Sequence, residues 1–238
     1  MAAPGPVTRA RDAAALLDAL QVSDPGRPRL TWYGPGGERV ELSARVLANW
    51  VVKTVNLLGD ELGVEPGDRV VLDLPGHWRT VVWQLAVAAH GAGNGARDDA
   101  SADDADAGGA AGVRVTSDPD AAAPGDVLVT MAALARSAPA LPDGVLDYNA
   151  EVGGQPDVLA VAVAPLPLLP VVAADDHQEP PRVLALLGRG PAPELAELVL
   201  PTWQLDGSVI LVHPDVDPEV LAGPEQVTRR WGGRPGIS

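Results

Sequence analysis

Cysteine is absent from these 238 residues. That removes disulfides, thiolate metal ligands and thiol nucleophiles together, and it fits a cytoplasmic protein. Phenylalanine is absent too and tyrosine occurs twice, so the six tryptophans must supply most of the large aromatic packing. Lysine occurs once, as Lys53, among 17 basic residues set against 32 acidic ones. The resulting formal net charge of −15 argues against a nucleic-acid surface, which needs clustered positive charge, and against an anionic membrane surface. No run approaches the ~20 apolar residues of a membrane span. Met1 to Pro6 has neither the basic start nor the apolar core of a signal peptide. The expectation is a soluble, cytoplasmic protein with no nucleic-acid or membrane partner.

The most ordered signal runs from Ser43 to Gly91. Ser43 is placed to cap a helix, with Leu42 and Leu47 at the positions of a hydrophobic staple. Leu47, Trp50, Val51, Leu58 and Leu62 repeat at helical spacing, and Gly63 and Pro66 close the pattern. The spacing predicts a helix over 43–62. Val64 to Asp68 has turn chemistry, and Arg69 to Leu74 reads as a buried parallel strand. Trp78, Val81, Val82, Leu85 and Ala89 mark a second helix that Gly91 ends. A strand between two such helices is the unit of an α/β layered domain with helices on both faces of its sheet.

These residues resemble the start of the acyl-adenylate-forming (AMP-binding, acyl-CoA synthetase-like) enzymes. The similarity lies in Leu30 to Tyr33, in Leu42-Ser43, and in the run Gly63-Val64-x-Pro66-Gly67-Asp68-x-Val70. Gly91-Ala92 then follows at the family's distance, and Leu195 to Val212 is a fainter echo of a later helix and strand. Short proteins of GC-rich bacteria resemble this N-terminal part alone, and the Ala, Gly, Pro and Arg bias of the chain matches such an origin. The resemblance implies a truncated N-terminal α/β fold. Residues 1–28 would form an N-terminal helix and linker, and residues 29–238 the synthetase-like domain, with a flexible acidic loop at 94–112.

The same resemblance gives a test of chemistry. Adenylate-forming enzymes hold ATP on a Ser/Thr/Gly-rich loop ending in Pro-Lys, since amides and hydroxyls can approach an anion closely there. By register that loop falls between Val158 and Leu184, an interval without Gly, Ser, Thr or Lys. Ala164-Pro165-Leu166-Pro167 stands in its place. The Tyr-Gly-x-Thr-Glu and Thr-Gly-Asp landmarks do not occur in these residues, no Walker-type or dinucleotide-binding glycine run replaces them, and the expectation is a relative without the C-terminal catalytic subdomain.

Other candidates read more plainly as structure. Lys53 is expected on a solvated helix face. Asp104, Asp106 and Gly109 approach a calcium loop, but Gly108 and Val115 occupy ligand positions. Asp175-Asp176-His177-Gln178-Glu179 lacks a second histidine at ligand spacing. His77, His90 and His213 show no carboxylate or nucleophile partner, and Trp50, Trp78 and Trp83 belong to core stripes, with a pocket lining as the alternative. Outside this stretch the expectations are a helix from Thr8 to Leu20, a hairpin from Leu30–Tyr33 to Arg39–Leu42, and strands at 112–117, 126–130, 158–164 and 208–213. Brief helices are expected at 131–136, 194–200 and 217–222. No catalytic, cofactor-binding or metal residue is assigned and no cofactor is expected. The implied function is a non-catalytic binding or interaction module whose partner is a protein or an acyl-type small molecule. The alternatives are acyl activation completed by a partner, or an acidic docking protein.

Overall fold

A computed structural model describes residues 13–95, 112–159, 179–190, 192 and 195–231. The chain divides into two compact units, drawn from Met1–Ala48, Gly76–Trp78 and Pro165–Ser238 (unit 1) and from Asn49–Pro75 and Arg79–Ala164 (unit 2). Among the described residues no helix is long and apolar enough to cross a membrane.

Unit 1 is built on a five-stranded sheet. Strands β1 (Pro28–Tyr33) and β2 (Arg39–Ser43) form the expected antiparallel hairpin. Strands β8 (Arg182–Leu186), β9 (Ser208–Val212) and β10 (Arg229–Trp231) add in parallel, in the order β10-β8-β9-β1-β2. β9 is buried along its whole length, as the apolar run Val209 to Val212 requires of a strand covered on both faces. On one face Leu184, Ile210 and Val212 gather Tyr33, Val216, Leu221 and Val227. Helix α5 (Ala196–Gln204) carries the fully buried Trp203, whose indole N–H donates to the Arg29 carbonyl at 3.0 Å. Helix α1 (Ala13–Ser23) packs against α5. It runs past the predicted end at Leu20 and stops where Asp24 Oδ1 accepts from the amides of Gly26 and Arg27. Thr8, the predicted cap, lies outside the described residues.

The end of α5 is held by an unusual corner. Asp206 N–H donates to Trp203 O at 2.8 Å and Gly207 N–H to Thr202 O at 2.9 Å, the paired bonds of a Schellman cap. The left-handed position of that motif is usually glycine. Here it is Asp206, at φ 57°. Its carboxylate accepts from Arg27 at 2.9 Å and forms an ion pair with Arg29 at 2.7 Å, and the carbonyls of Asp206 and Gly207 accept from Arg29 Nη1 at 2.7 and 3.2 Å. Glycine is needed one residue later, since a Cβ on Gly207 would stand 2.5 Å from Pro181 O and 2.7 Å from Thr202 O.

Unit 2 contains strands β3 (Arg69–Asp73), β4 (Gly93–Gly95), β5 (Val113–Thr116), β6 (Val127–Leu128) and β7 (Leu146–Asp147). They form an all-parallel sheet in the order β4-β3-β5-β6-β7. Helix α2 (Ala44–Asn56) starts at Ser43, whose Oγ accepts from Val46 N–H at 3.3 Å as a cap should. Helix α3 (Trp78–His90) follows β3, and Gly91 ends it at φ 85°. The Gly63 to Val70 run acquires a mechanical meaning here. Gly67, at φ 97°, donates to Gly91 O at 2.8 Å, Asp68 O accepts from Gly93 at 2.8 Å, and Asp68 Oδ2 accepts from Glu65 N–H at 2.8 Å. The turn thus fastens the end of α3 to the start of β3.

Four expectations change. The helix predicted to reach Leu62 ends at Asn56 and continues as a π turn, Leu57–Glu61, closed by Leu62 N–H on Leu57 O at 3.1 Å. The wider turn lets the consecutive, fully buried Leu57 and Leu58 both face inward. Residues 131–136 form turns, not a helix, because buried side chains claim their carbonyls. Arg79 donates to Ala132 O at 3.0 Å and Ala135 O at 3.2 Å, and Asn149 to Ala135 O at 3.0 Å. Asn94 and Gly95 belong to β4, while residues 96–111 of the acidic segment lie outside the described residues. Val158 and Leu159 are exposed coil, and 160–164 of the predicted strand lie outside the description as well. The short helices α4 (Tyr148–Glu151) and α6 (Glu219–Ala222) complete the elements.

The α5 corner predicts a graded response. Asp206→Ala loses the ion pairs of a buried arginine and keeps the left-handed backbone, for an expected loss of ~2–3 kcal/mol. Asp206→Gly loses the same pairs but relieves the backbone, and should be milder by roughly 1 kcal/mol. Denaturant titration of both variants checks the order.

Candidate functional site

Unit 1 contains a polar cleft of about 590 Å³. Pro28, Arg182 and Ser208 open strands β1, β8 and β9, and Thr228 precedes β10, so the cleft sits at the amino ends of the parallel strands. Open α/β sheets ordinarily hold ligands at the opposite, carboxyl ends. Arg182 lies across the cleft: Nε donates to Glu225 O, here 2.6 Å away, Nη1 to Ser208 Oγ at 3.0 Å, and Nη2 to the Glu225 carboxylate. That carboxylate also accepts from the Tyr33 hydroxyl and from Arg39 at 3.3 Å. Burial opposes its charge, but the hydrogen bonds from Tyr33 and Arg182 and the charges of Arg182 and Arg39 outweigh burial and hold the carboxyl below its ordinary value. Burial and the bond to Glu225 push the Tyr33 phenol up.

At the carboxyl side of the same sheet stands an aromatic group. Trp32 meets His77 edge-on at 4.6 Å and His213 at 6.0 Å, and His77 lies 5.6 Å from Trp78. Trp32, His77 and Trp78 are buried. His213 does have a carboxylate neighbour that the sequence did not reveal. Its Nδ1 accepts from the Asp215 amide at 3.1 Å and stands 3.6 Å from the Asp215 carboxylate.

In unit 2 several polar side chains are tied to backbone carbonyls. Lys53 is not the solvated residue expected: its ammonium donates to Gly153 O at 3.1 Å and to Gln155 O. Asn56 holds Pro156 O at 3.0 Å and Val158 O at 2.9 Å. The Tyr148 hydroxyl is buried against Thr54 Oγ1 at 2.8 Å, with its ring 5.0 Å from that of Trp83, and burial raises its pKa. Arg114 bridges Asp73 at 3.0 Å and Asp126 at 3.1 Å. His90 is buried, and desolvation lowers its pKa against the pull of Asp68. Trp83 is fully buried and Trp50 half-buried. The acidic residues 104–106 and 175–178 lie outside the description, and among the described residues no three His, Cys, Asp or Glu side chains are grouped to hold a metal.

Comparison with solved structures now places this architecture. An acyl-CoA synthetase of Brucella canis superposes with a TM-score of 0.62 over 88% of this chain and 45% of its own, at 16% identity. The N-terminal subdomain of Klebsiella oxytoca NpsA, in complex with 3-hydroxybenzoyl-AMSN, superposes with a TM-score of 0.54 over 93% of this chain and 59% of its own, at 13% identity. The fold is that of the N-terminal part of the acyl-adenylate-forming synthetases. This synthetase-like chain spans about half the length of those structures. In sequence it is similar to a TIGR03089 family protein of Mycobacterium tuberculosis, at 40% identity over 166 residues, which is 65% of each chain. No family model matches.

Sequence reasoning missed the Arg182–Glu225 and Arg29–Asp206 pairings, because partners more than forty residues apart leave no spacing signal. Two outcomes follow from the geometry. Lys53→Met should cost ~1–2 kcal/mol, since it strips a charged donor from the carbonyls of Gly153 and Gln155, and thermal unfolding would show it. Glu225 stabilises the fold above its unfolded pKa, near 4.5, and that contribution fades as pH falls through its lower folded value. Glu225→Gln should therefore be less stable than the parent at neutral pH, with the gap closing as pH falls below 4.5 in denaturant titrations.

Proposed function

We propose that this chain is a non-catalytic, synthetase-like binding or interaction module that works in the cytoplasm. The observation that carries the reading is the commitment of Lys53. Gripping a triphosphate calls for a mobile ammonium beside a glycine- and hydroxyl-rich loop. The chain has one lysine, and its ammonium is bound to two carbonyl oxygens within unit 2. Between Val158 and Leu184 the sequence offers no glycine, hydroxyl or lysine to replace it. Function resides in sites rather than folds, so the retained scaffold does not carry the reaction with it.

The ligand of such a module is an acyl-type small molecule or a protein. The NpsA N-terminal subdomain has been solved with an acyl-type ligand, 3-hydroxybenzoyl-AMSN, which supports the first choice. Isothermal titration separates the readings. Magnesium-ATP should give no saturable heat in the micromolar range, while a panel of fatty and aromatic acids is titrated in parallel. Micromolar ATP binding, or acid-dependent exchange of pyrophosphate into ATP by the purified chain, would overturn the proposal.

A further inference from the structure

The sheet of unit 1 ends on β2, and the hydrogen bonds of the hairpin fix which backbone groups face that edge. Gly34 N–H donates to Glu38 O at 2.9 Å, and the register pairs Trp32 with Val40 and Leu30 with Leu42. Bonded pairs alternate along an antiparallel ladder, so Val40 and Leu42 turn their N–H and C=O groups to β1. Arg39 and Glu41 occupy the positions between, opposite Tyr33 and Thr31. Tyr33 O shows the same parity, since it turns away from β2 to accept from His213 N–H at 2.9 Å. The N–H and C=O groups of Arg39 and Glu41 therefore point out of the sheet, where they bond to nothing among the described residues. Both residues are exposed.

Edge strands are ordinarily guarded by proline, by lysine or by a bulge that breaks the row. β2 has neither proline nor lysine, and the irregularity in its pairing lies past this stretch, between Pro28 and Leu30 of β1. Its charges leave one approach open. Arg39 and Glu41 share a face of the strand and are ion-paired there at 2.6 Å. When the strand meets its own reverse, backbone parity allows Arg39 opposite Arg39, Glu41 opposite Glu41, or Arg39 opposite Glu41. The first two set like charges together, which destabilises a sheet. The third is centred on Val40 and places opposite charges at both positions, with every outward N–H and C=O of Arg39 and Glu41 in a bonded pair. The strand is thus complementary to its own reverse in backbone and in charge, in one register.

We propose that this edge pairs with a second copy of the chain, β2 against β2 about a twofold axis at Val40, joining two unit 1 sheets into one. A strand of five residues buries far less than the ~1,200 Å² of a stable interface, so the contact is weak and reversible. It uses the edge of unit 1 alone, so the ATP titration can give either result without touching it.

Sedimentation equilibrium of the whole chain should show a monomer–dimer equilibrium with a Kd on the order of 100 µM. Hydrogen exchange read by NMR locates it: between ~20 µM and ~1 mM the Arg39 and Glu41 amides should slow by ~threefold or more, while those of Val40 and Leu42, already bonded to β1, stay unchanged. Arg39→Glu and Glu41→Arg each make the edge like-signed and should each be monomeric. Their equimolar mixture should dimerise again, because the two edges are then opposite in sign. Arg39 also touches Glu225, so Glu41→Arg and exchange on the unaltered chain carry the test if Arg39→Glu does not fold. The inference is overturned if the chain stays monomeric at ~1 mM, if exchange at Arg39 and Glu41 does not depend on concentration, or if Glu41→Arg dimerises as the parent does.

Discussion

Unit 1 depends on one buried arginine. Arg29 sits in β1 with no exposed surface, and a charge in that position is tolerable only with a counter-charge and acceptors beside it. Asp206 and Gly207 supply them from the corner that ends α5. The requirement reaches outward from there. The corner must bend left-handed to turn both carbonyls and a carboxylate toward Arg29, so aspartate takes a place where glycine is cheaper. Gly207 must then lack a side chain to pass Pro181 and Thr202. Trp203, one turn earlier, donates to the Arg29 carbonyl, so backbone and side chain of one β1 residue are both held from α5. The helix, its cap and the strand are in effect a single hydrogen-bonded piece.

Much of the stretch from Ser43 to Gly91 was legible because its signals are local. The Ser43 cap, the Gly63–Asp68 turn, the β3 run and the α3 stripe each depend on neighbours within a few residues, and the structure places each near its expected position. Legibility failed where distant side chains overrode local preference. Residues 131–136 carry helix-forming alanine and leucine, yet Arg79 and Asn149 take the carbonyls a helix would use. The π turn at Leu57–Glu61 is a smaller failure of the same sort, since burial of two adjacent leucines outweighed regular winding. The cleft was invisible in sequence. Its walls come from the starts of β1, β8 and β9 and the approach to β10, which only the sheet brings together.

The residues that carry the family resemblance have a structural task of their own. Gly67, Asp68 and Gly91 hold backbone to backbone, and their hydrogen bonds fasten a helix end to a strand start. Selection for a folded α/β unit alone would suffice to maintain such a turn. The residues a reaction needs answer to a separate demand, and in this chain the lysine is employed as a structural tie.

Charge supplies the last step. The described arginines are largely neutralised within the protein: Arg27 and Arg29 by Asp206, Arg114 by Asp73 and Asp126, Arg182 by Glu225, Arg189 by Asp215 and Arg230 by Glu219. With 32 acidic against 17 basic residues, the cations are absorbed and the surplus carboxylates set the field that solvent feels. That field repels a highly charged anion before any local contact can form. A triphosphate would need a concentrated local positive site to overcome it, and guanidinium groups already held by carboxylates cannot supply one without breaking the pairs that stabilise the fold.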